Sequence, residues 1–294
     1  MNILILGGSG MIGSCLLRHL NHRNEVFATF RTNPSTYPQL ERYHDQKVFF
    51  NIDARDLTKI TDIVQKTNSD VVINAIGITK QLISENEKQD LVYINSSFPH
   101  QLYDICNKFD TRLIQLSSDC VFSGEKGFYS ENDIPDAHDL YGISKIDGEI
   151  EKPNALTIRK STIGLESGPS HGLIEWFLKS KGTIRGYRNA IYSGLTTIEF
   201  SKVIDMIIND HQDLTGIWNI SSAPISKFDL LIRLSDFLER NDINIIPYDD
   251  FFCDRSLDQR AFSERTGYSA PSWDRMLKEL ANKILERDSL NKNL

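Results

Sequence analysis

The sequence predicts an α/β protein: a doubly wound parallel Rossmann sheet with a smaller C-terminal α+β substrate-binding portion. Three observations carry the prediction. The chain opens on an apolar strand, Asn2-Ile3-Leu4-Ile5-Leu6, that runs into glycines at 7, 10 and 13 and then into a helical apolar pattern. Continuous apolar strands alternate with helices through the first half, as in a parallel sheet covered on both faces. From about residue 161 the alternation loosens. The boundary is drawn there, with residues 1–160 as the dinucleotide-binding domain and 161–294 as a substrate-binding portion partly interleaved with it.

The elements follow in order. Strands are predicted at 2–6, 25–30, 48–52, 70–74, 112–116 and 155–159. Helices fit at 11–21, 57–65, within 88–108 as one long helix, and at 141–151. In the second part, helices fit at 171–180, 199–210, 227–240 and 272–287, with short strands near 183–185, 216–220 and 243–247.

The glycine spacing has a local physical cause. Gly7 takes the tight turn out of the strand without a Cβ penalty. Gly10 lets the backbone approach a diphosphate, and Gly13 lets the helix pack closely on the strand. The free N–H groups at the helix start then face the anion. At the end of the second strand the chain reads Ala28-Thr29-Phe30-Arg31-Thr32. No acid stands there for a ribose 2′-hydroxyl, whereas Arg31 suits a 2′-phosphate. The sequence therefore favours NADP(H), with NAD(H) as the alternative.

Composition limits the function. The 294 residues are 40% hydrophobic and carry a net charge of −7. The balance offers no basic field for nucleic acid. No apolar run has the length of a membrane span. The first apolar run lacks a basic flank and is taken up by a strand, so it is not read as a signal peptide. The four cysteines (15, 106, 120, 253) are scattered and read as reduced thiols of a cytoplasmic protein. No His/Cys/carboxylate spacing suggests a metal.

Chemistry concentrates in one constellation. Tyr141 and Lys145 stand at i and i+4, on one face of a helix. A cation near a phenol lowers its pKa. Ser118 lies just past the fifth strand, at the sheet edge where such folds bind ligands. Elsewhere, Lys80, Gln81, Asp119, Arg159, Arg185 and Arg188 are candidate substrate contacts. Arg159 has the alternative of pairing with an acid. Trp176 is assigned to core packing, with base stacking as the alternative, and His171 to a surface position.

Together Gly7/Gly10/Gly13, Asn74-Ala75-Ile76-Gly77, Ser117-Ser118-Asp119-Cys120-Val121-Phe122 and Tyr141…Lys145 with Asp147-Gly148-Glu149 resemble the extended short-chain dehydrogenase/reductases. The segments Tyr129–Pro135 and Tyr141–Glu149 resemble the dTDP-4-dehydrorhamnose reductase branch in particular. The resemblance implies Tyr141 as proton donor, Lys145 as the residue that tunes it, and Ser118 as the carbonyl-orienting hydroxyl. It implies Gly7, Gly10, Met11 and Ile12 as the pyrophosphate cradle and Asp53 as an adenine contact. Asn74, Ala75 and Gly77 would flank the cofactor, and Asn95 would act structurally. The implied function is reduction of the 4-keto group of a nucleotide-linked 6-deoxy sugar by a cytoplasmic enzyme, possible as a homodimer through the 88–108 helix. Two departures stand out. Cys120 replaces the glutamate that dehydratases of the superfamily place after the Asp, and Tyr192-Ser193-Gly194-Leu195-Thr196-Thr197 replaces a Gln-x-G-x-P-T segment. The rivals are an epimerase that retains NAD and a non-catalytic NADP-binding regulatory subunit.

Overall fold

The computed structural model describes residues 1–33, 47–79, 88–166 and 172–292. The first half runs β1 (Asn2–Leu6), α1 (Met11–Leu20), β2 (Glu25–Thr29), β3 (Val48–Phe49), α2 (Leu57–Thr67) and β4 (Val71–Asn74). It continues through α3 (Lys88–Val92), a π-helical turn (Tyr93–Ser97), α4 (Phe98–Lys108), β5 (Arg112–Leu116), a 3₁₀ turn (Asp119–Val121), α5 (Leu140–Asp147) and β6 (Ala155–Arg159). After it come β7 (Thr162–Ile163), α6 (Leu173–Lys179), β8 (Gly182–Tyr187), β9 (Ala190–Tyr192), β10 (Leu195–Thr196), α7 (Thr197–Asp210) and β11 (Gly216–Asn219). The chain ends with β12 (Ile225–Ser226), α8 (Lys227–Phe237), β13 (Ile243–Tyr248), β14 (Cys253–Asp254), α9 (Arg260–Thr266) and α10 (Trp273–Lys292).

Seven strands form one sheet in the order β11-β6-β5-β4-β1-β2-β3. Every pairing in it is parallel. Alternate side chains of β1 serve opposite layers, as a period of two demands. Ile3 and Ile5 join α1 (Leu16, Leu17, Leu20) and α7 (Val203, Ile204, Ile207). Leu4 and Leu6 join α2 (Ile60, Ile63, Val64) and α4 (Phe98, Leu102, Ile105). This is the predicted doubly wound sheet. Strand order reverses between β1 and β4, so a crevice opens at the carboxyl ends of these strands.

The structure differs from the sequence prediction at four points. The third strand stops at Phe49, because Asn51 turns into the left-handed region (φ 58°). The long 88–108 helix is interrupted by the π turn. That turn brings Asn95 and Ser96 onto α5, where Asn95 Nδ2 donates to Ser144 Oγ (3.2 Å) and Ser96 Oγ to the Ser144 carbonyl (3.0 Å). The contact is tight: a Cβ on Gly148 would lie 1.8 Å from the Asn95 carbonyl. The strand near 216–220 lies not apart from the Rossmann sheet but on its edge, as β11 beside β6. Trp176 is 44% exposed and does not enter the core.

Beyond β6 the smaller sheets pair β8 with β13, β9 with β12 and β14, and β7 with β10. Thr196 and Ser226 cap α7 and α8, accepting from Glu199 N (3.3 Å) and Asp229 N (2.9 Å). One ion pair sits deep under the sheet edge. Glu149 accepts from Arg159 Nε (2.8 Å) and Nη2 (2.7 Å) and from Ser117 Oγ (2.7 Å). Its side chains are 4% and 6% exposed. Breaking such a pair from one side leaves a buried charge uncompensated. Glu149→Gln is expected to cost about 3 kcal/mol in denaturant titration. The exposed Lys283–Glu286 pair is the control: Glu286→Gln is expected to cost under about 0.5 kcal/mol. Equal losses would contradict this account.

Candidate active site

The βα turn after β1 is built for close approach. Gly7 holds φ +84°, and Gly10 N donates to the Gly7 carbonyl (3.0 Å). A Cβ on Gly13 would lie 2.2 Å from that same carbonyl, so only glycine lets α1 start there. No side chain caps the first turn of α1, which leaves the N–H groups around Met11, Ile12 and Gly13 to a ligand. At the end of β2, Arg31 is exposed, and the neighbouring Thr32 hydroxyl is buried without a partner among the described residues. Both fit a phosphate.

The flanking residues are held firmly. Asn74 Nδ2 donates to Gln115 Oε1 (2.8 Å), and its Oδ1 accepts from Ile76 N (3.2 Å). Ala75 N bonds the Leu6 carbonyl, and the Ala75 backbone stands 3.1 Å from the Gly7 Cβ position. Asn95 clasps Ile78 through both its amide atoms, and its Oδ1 lies 3.5 Å from where a Cβ on Gly77 would stand. It thus joins this segment to α5 and is no surface residue. Asp53 lies past β3 with its carboxylate on Arg55 (3.3 Å).

Ser118, Tyr141 and Lys145 meet at the carboxyl end of β5. Ser118 is extended and caps the 3₁₀ turn by accepting from Cys120 N (3.1 Å). Its hydroxyl donates to Asp119 Oδ1 (3.1 Å), and it stands close enough to the Tyr141 phenol to lower its pKa against the effect of burial. Asp139 caps α5 and sets Tyr141 in its first turn. One turn later, Lys145 Nζ donates to the Leu116 carbonyl (2.8 Å).

The electrostatics differ from the simple Tyr–Lys expectation. Burial pushes the Tyr141 phenol above its ordinary value, with Cys120 adding and Ser118 opposing. A lowering by Lys145 is not the dominant effect, so the phenol is protonated at neutral pH. Burial first, and a second ammonium, Lys160, after it, lower Lys145 to about 8. Lys160 is itself brought down to about 8 by burial, against the pull of Asp119 and Cys120. Asp119 rises through burial, and Cys120 is pushed up to about 12 by the same cause.

The sequence prediction missed three residues here. Lys160 follows β6 directly, and its carbonyl accepts from Asp119 N (3.1 Å); its position at a strand end was the available signal. Arg255 donates to the Phe122 carbonyl (2.8 Å) and to Cys120 Sγ (3.5 Å), tying the 118–122 segment to the C-terminal portion. Tyr192 is buried beside Asp119. Among the predicted substrate contacts, Asp119 is in this cluster. Arg159 instead takes its acid alternative on Glu149, with its guanidinium 5.2 Å from the Phe122 ring. Arg185 lies 4.8 Å over the Tyr248 ring, and Arg188 pairs with Asp249. Lys80, Gln81 and His171 lie outside the described residues. Among the described residues no group of His, Cys, Asp and Glu could hold a metal ion, and no helix is long and apolar enough to cross a membrane.

The two lysines provide a direct test of this geometry. In NMR of lysine labelled at Cε, Lys145 is expected to titrate near pH 8. Lys160→Met removes the neighbouring positive charge, so the Lys145 midpoint is expected to rise. A midpoint above pH 10 in the unsubstituted protein would contradict the burial of this ammonium.

A probable low-salt glycan biosynthesis reductase of Haloferax volcanii (Agl14) is 26% identical over 184 residues, 59% of this chain. The match spans only 57% of that relative's length. The dTDP-4-dehydrorhamnose reductase of Aggregatibacter actinomycetemcomitans is 25% identical over 80% of this chain and 78% of its own. A dTDP-4-dehydrorhamnose reductase from Bacillus anthracis, solved in complex with NADP, superposes with a TM-score of 0.78 at 18% identity, over 96% of this chain and 98% of its own. The model of the RmlD substrate binding domain matches residues 1–165, more than half of the chain. By that match, the chain belongs to the RmlD substrate binding domain family.

Proposed function

We propose that the protein is an NADP(H)-dependent reductase of the 4-keto group of a nucleotide-linked 6-deoxy sugar. The observation that carries this reading is the meeting of Ser118 and Tyr141 at the sheet's carboxyl edge, with the Lys145 ammonium bonded to the Leu116 carbonyl. Relatives named as dTDP-4-dehydrorhamnose and glycan biosynthesis reductases support the substrate class. The Thr32 hydroxyl beside Arg31, without a partner among the described residues, supports NADP(H), which the Bacillus anthracis neighbour holds. In this reading residues 1–160 bind the dinucleotide and 161–294 hold most of the sugar nucleotide.

When bound, the cofactor supplies the hydride. The protein's own residues do the rest. Ser118 and Tyr141 donate hydrogen bonds to the keto oxygen and polarise it. As charge develops on that oxygen, Tyr141 transfers its proton to it. The raised pKa keeps the phenol protonated until then. Lys145 steadies the phenolate that results, and Asp119 holds the Ser118 proton until the keto oxygen replaces it as acceptor. Gly7, Gly10, Met11, Ile12 and Gly13 hold the diphosphate, Arg31 the 2′-phosphate, and Asp53, Asn74, Ala75 and Gly77 the flanks.

Cys120 argues against dehydration. Elimination needs a base beside the acid, and a thiol pushed up to about 12 is not one at neutral pH. A regulatory subunit has no use for a phenol positioned for proton transfer, and an NAD-retaining epimerase would be expected to carry an acid where Arg31 and Thr32 stand. The test is oxidation of NADPH at 340 nm with a panel of dTDP- and UDP-linked 4-keto-6-deoxy sugars. Turnover with one sugar is expected, faster with NADPH than NADH. Tyr141→Phe is expected to lower kcat by about 10²–10⁴ without unfolding the protein. Wild-type protein that binds NADPH and turns over no sugar would overturn the reading.

A further inference from the structure

The Tyr192 side chain enters this cluster from β9, in the C-terminal portion. The residue is 6% exposed, and its hydroxyl has no hydrogen-bond partner among the described residues. The ring is fixed from two sides. It meets the Trp273 ring at 5.5 Å, and its edge fills the space a Cβ on Gly194 would need (2.8 Å). That same Cβ position lies 2.8 Å from the Ser161 carbonyl, so the tyrosine stands against the chain that follows β6. The hydroxyl is within electrostatic reach of the Asp119 carboxylate.

Lys160 is the second under-used donor. Its ammonium has one hydrogen bond among the described residues, a 3.5 Å contact to Thr162 Oγ1 at the outer limit for such bonds. It too faces Asp119, whose Oδ1 is engaged by Ser118. Buried polar groups are paired in the great majority of proteins. A buried phenol without a partner among the described residues and a half-buried ammonium with one long bond, both within electrostatic reach of one carboxylate, form a place for an oxygen that the protein does not itself provide.

We propose that Tyr192 and Lys160 bind a hydroxyl of the sugar ring, which accepts from both and donates to Asp119, and that this contact sets which sugar is accepted. The inference rests on the reductase reading above. It also accounts for Tyr192 standing where the reductase branch it resembles carries Gln: the rigid phenol selects a different arrangement of ring hydroxyls. Neither residue moves a proton to the keto oxygen. Both hold the ring while Ser118 and Tyr141 act on it.

The conservative variant Tyr192→Phe keeps the ring packing and removes only the hydroxyl. A group that holds ground and transition state alike changes KM and leaves kcat. With the sugar that the wild type turns over best, Tyr192→Phe is expected to raise KM about tenfold, the loss of one hydrogen bond to a bound ligand. Its kcat is expected to stay within about threefold. Its melting temperature without ligand is expected to equal or exceed the wild type's, because an unsatisfied hydroxyl has been removed. A matching analogue lacking the ring hydroxyl is expected to lose the difference between the two proteins. An unchanged KM overturns the proposal and leaves the reductase reading standing. A lower melting temperature without ligand, with kcat and KM altered together, assigns Tyr192 a packing role and also overturns it. Wild-type protein that turns over no sugar of the panel overturns the reductase reading, and this proposal with it.

Discussion

The buried ammonium of Lys145 is the constraint on which the site depends. Its bond to the Leu116 carbonyl joins α5 to the end of β5 across 29 residues of chain. A buried charge needs such a partner, because its hydration is lost. Once α5 is fixed on β5, Tyr141, one turn earlier on the same face, must stand against Ser118. The rest of the neighbourhood reinforces this register. Asp139 caps the helix, Asn95 and Ser96 hold Ser144 from the π turn, and Glu149 ties the helix exit to Arg159 and Ser117. A π turn inside a helix is costly and recurs near functional sites. Here it faces the helix that carries the phenol.

Electrostatics then follow from enclosure. The phenol rises and the two ammonium groups fall chiefly through loss of water. The carboxylate of Asp119 lies among them and balances part of the positive charge. A protonated phenol suits a group that must give its proton to a forming alkoxide. The raised thiol at 120 is inert at neutral pH, which separates this site from one that must remove a proton from carbon.

The sequence carried the sheet because each strand is a continuous apolar run, and a run of that kind can be stable only when covered on both faces. Ser118, Tyr141 and Lys145 were legible for a similar reason: a strand end and an i,i+4 spacing are local signals. What escaped was non-local. Arg255 reaches Cys120 across 135 residues, and no spacing announces that. Tyr192 depends on the packing of β9 against Trp273. The π turn was hidden because it shifts the helical register by a single residue, while the apolar periodicity runs on through Leu91, Ile94 and Leu102. β11 was misplaced because a short edge strand looks the same in either sheet, and only its partner β6 distinguishes them.

The central claim is that this chain delivers a net reduction at a carbonyl held between Ser118 and Tyr141. The most direct measurement uses NADPH carrying deuterium at both C4 positions of the nicotinamide, with the product sugar read by proton NMR. The account predicts one deuterium on C4 of the sugar, with NADP formed in equal amount. Unlabelled product, or a changed sugar configuration with no net loss of NADPH, would contradict it.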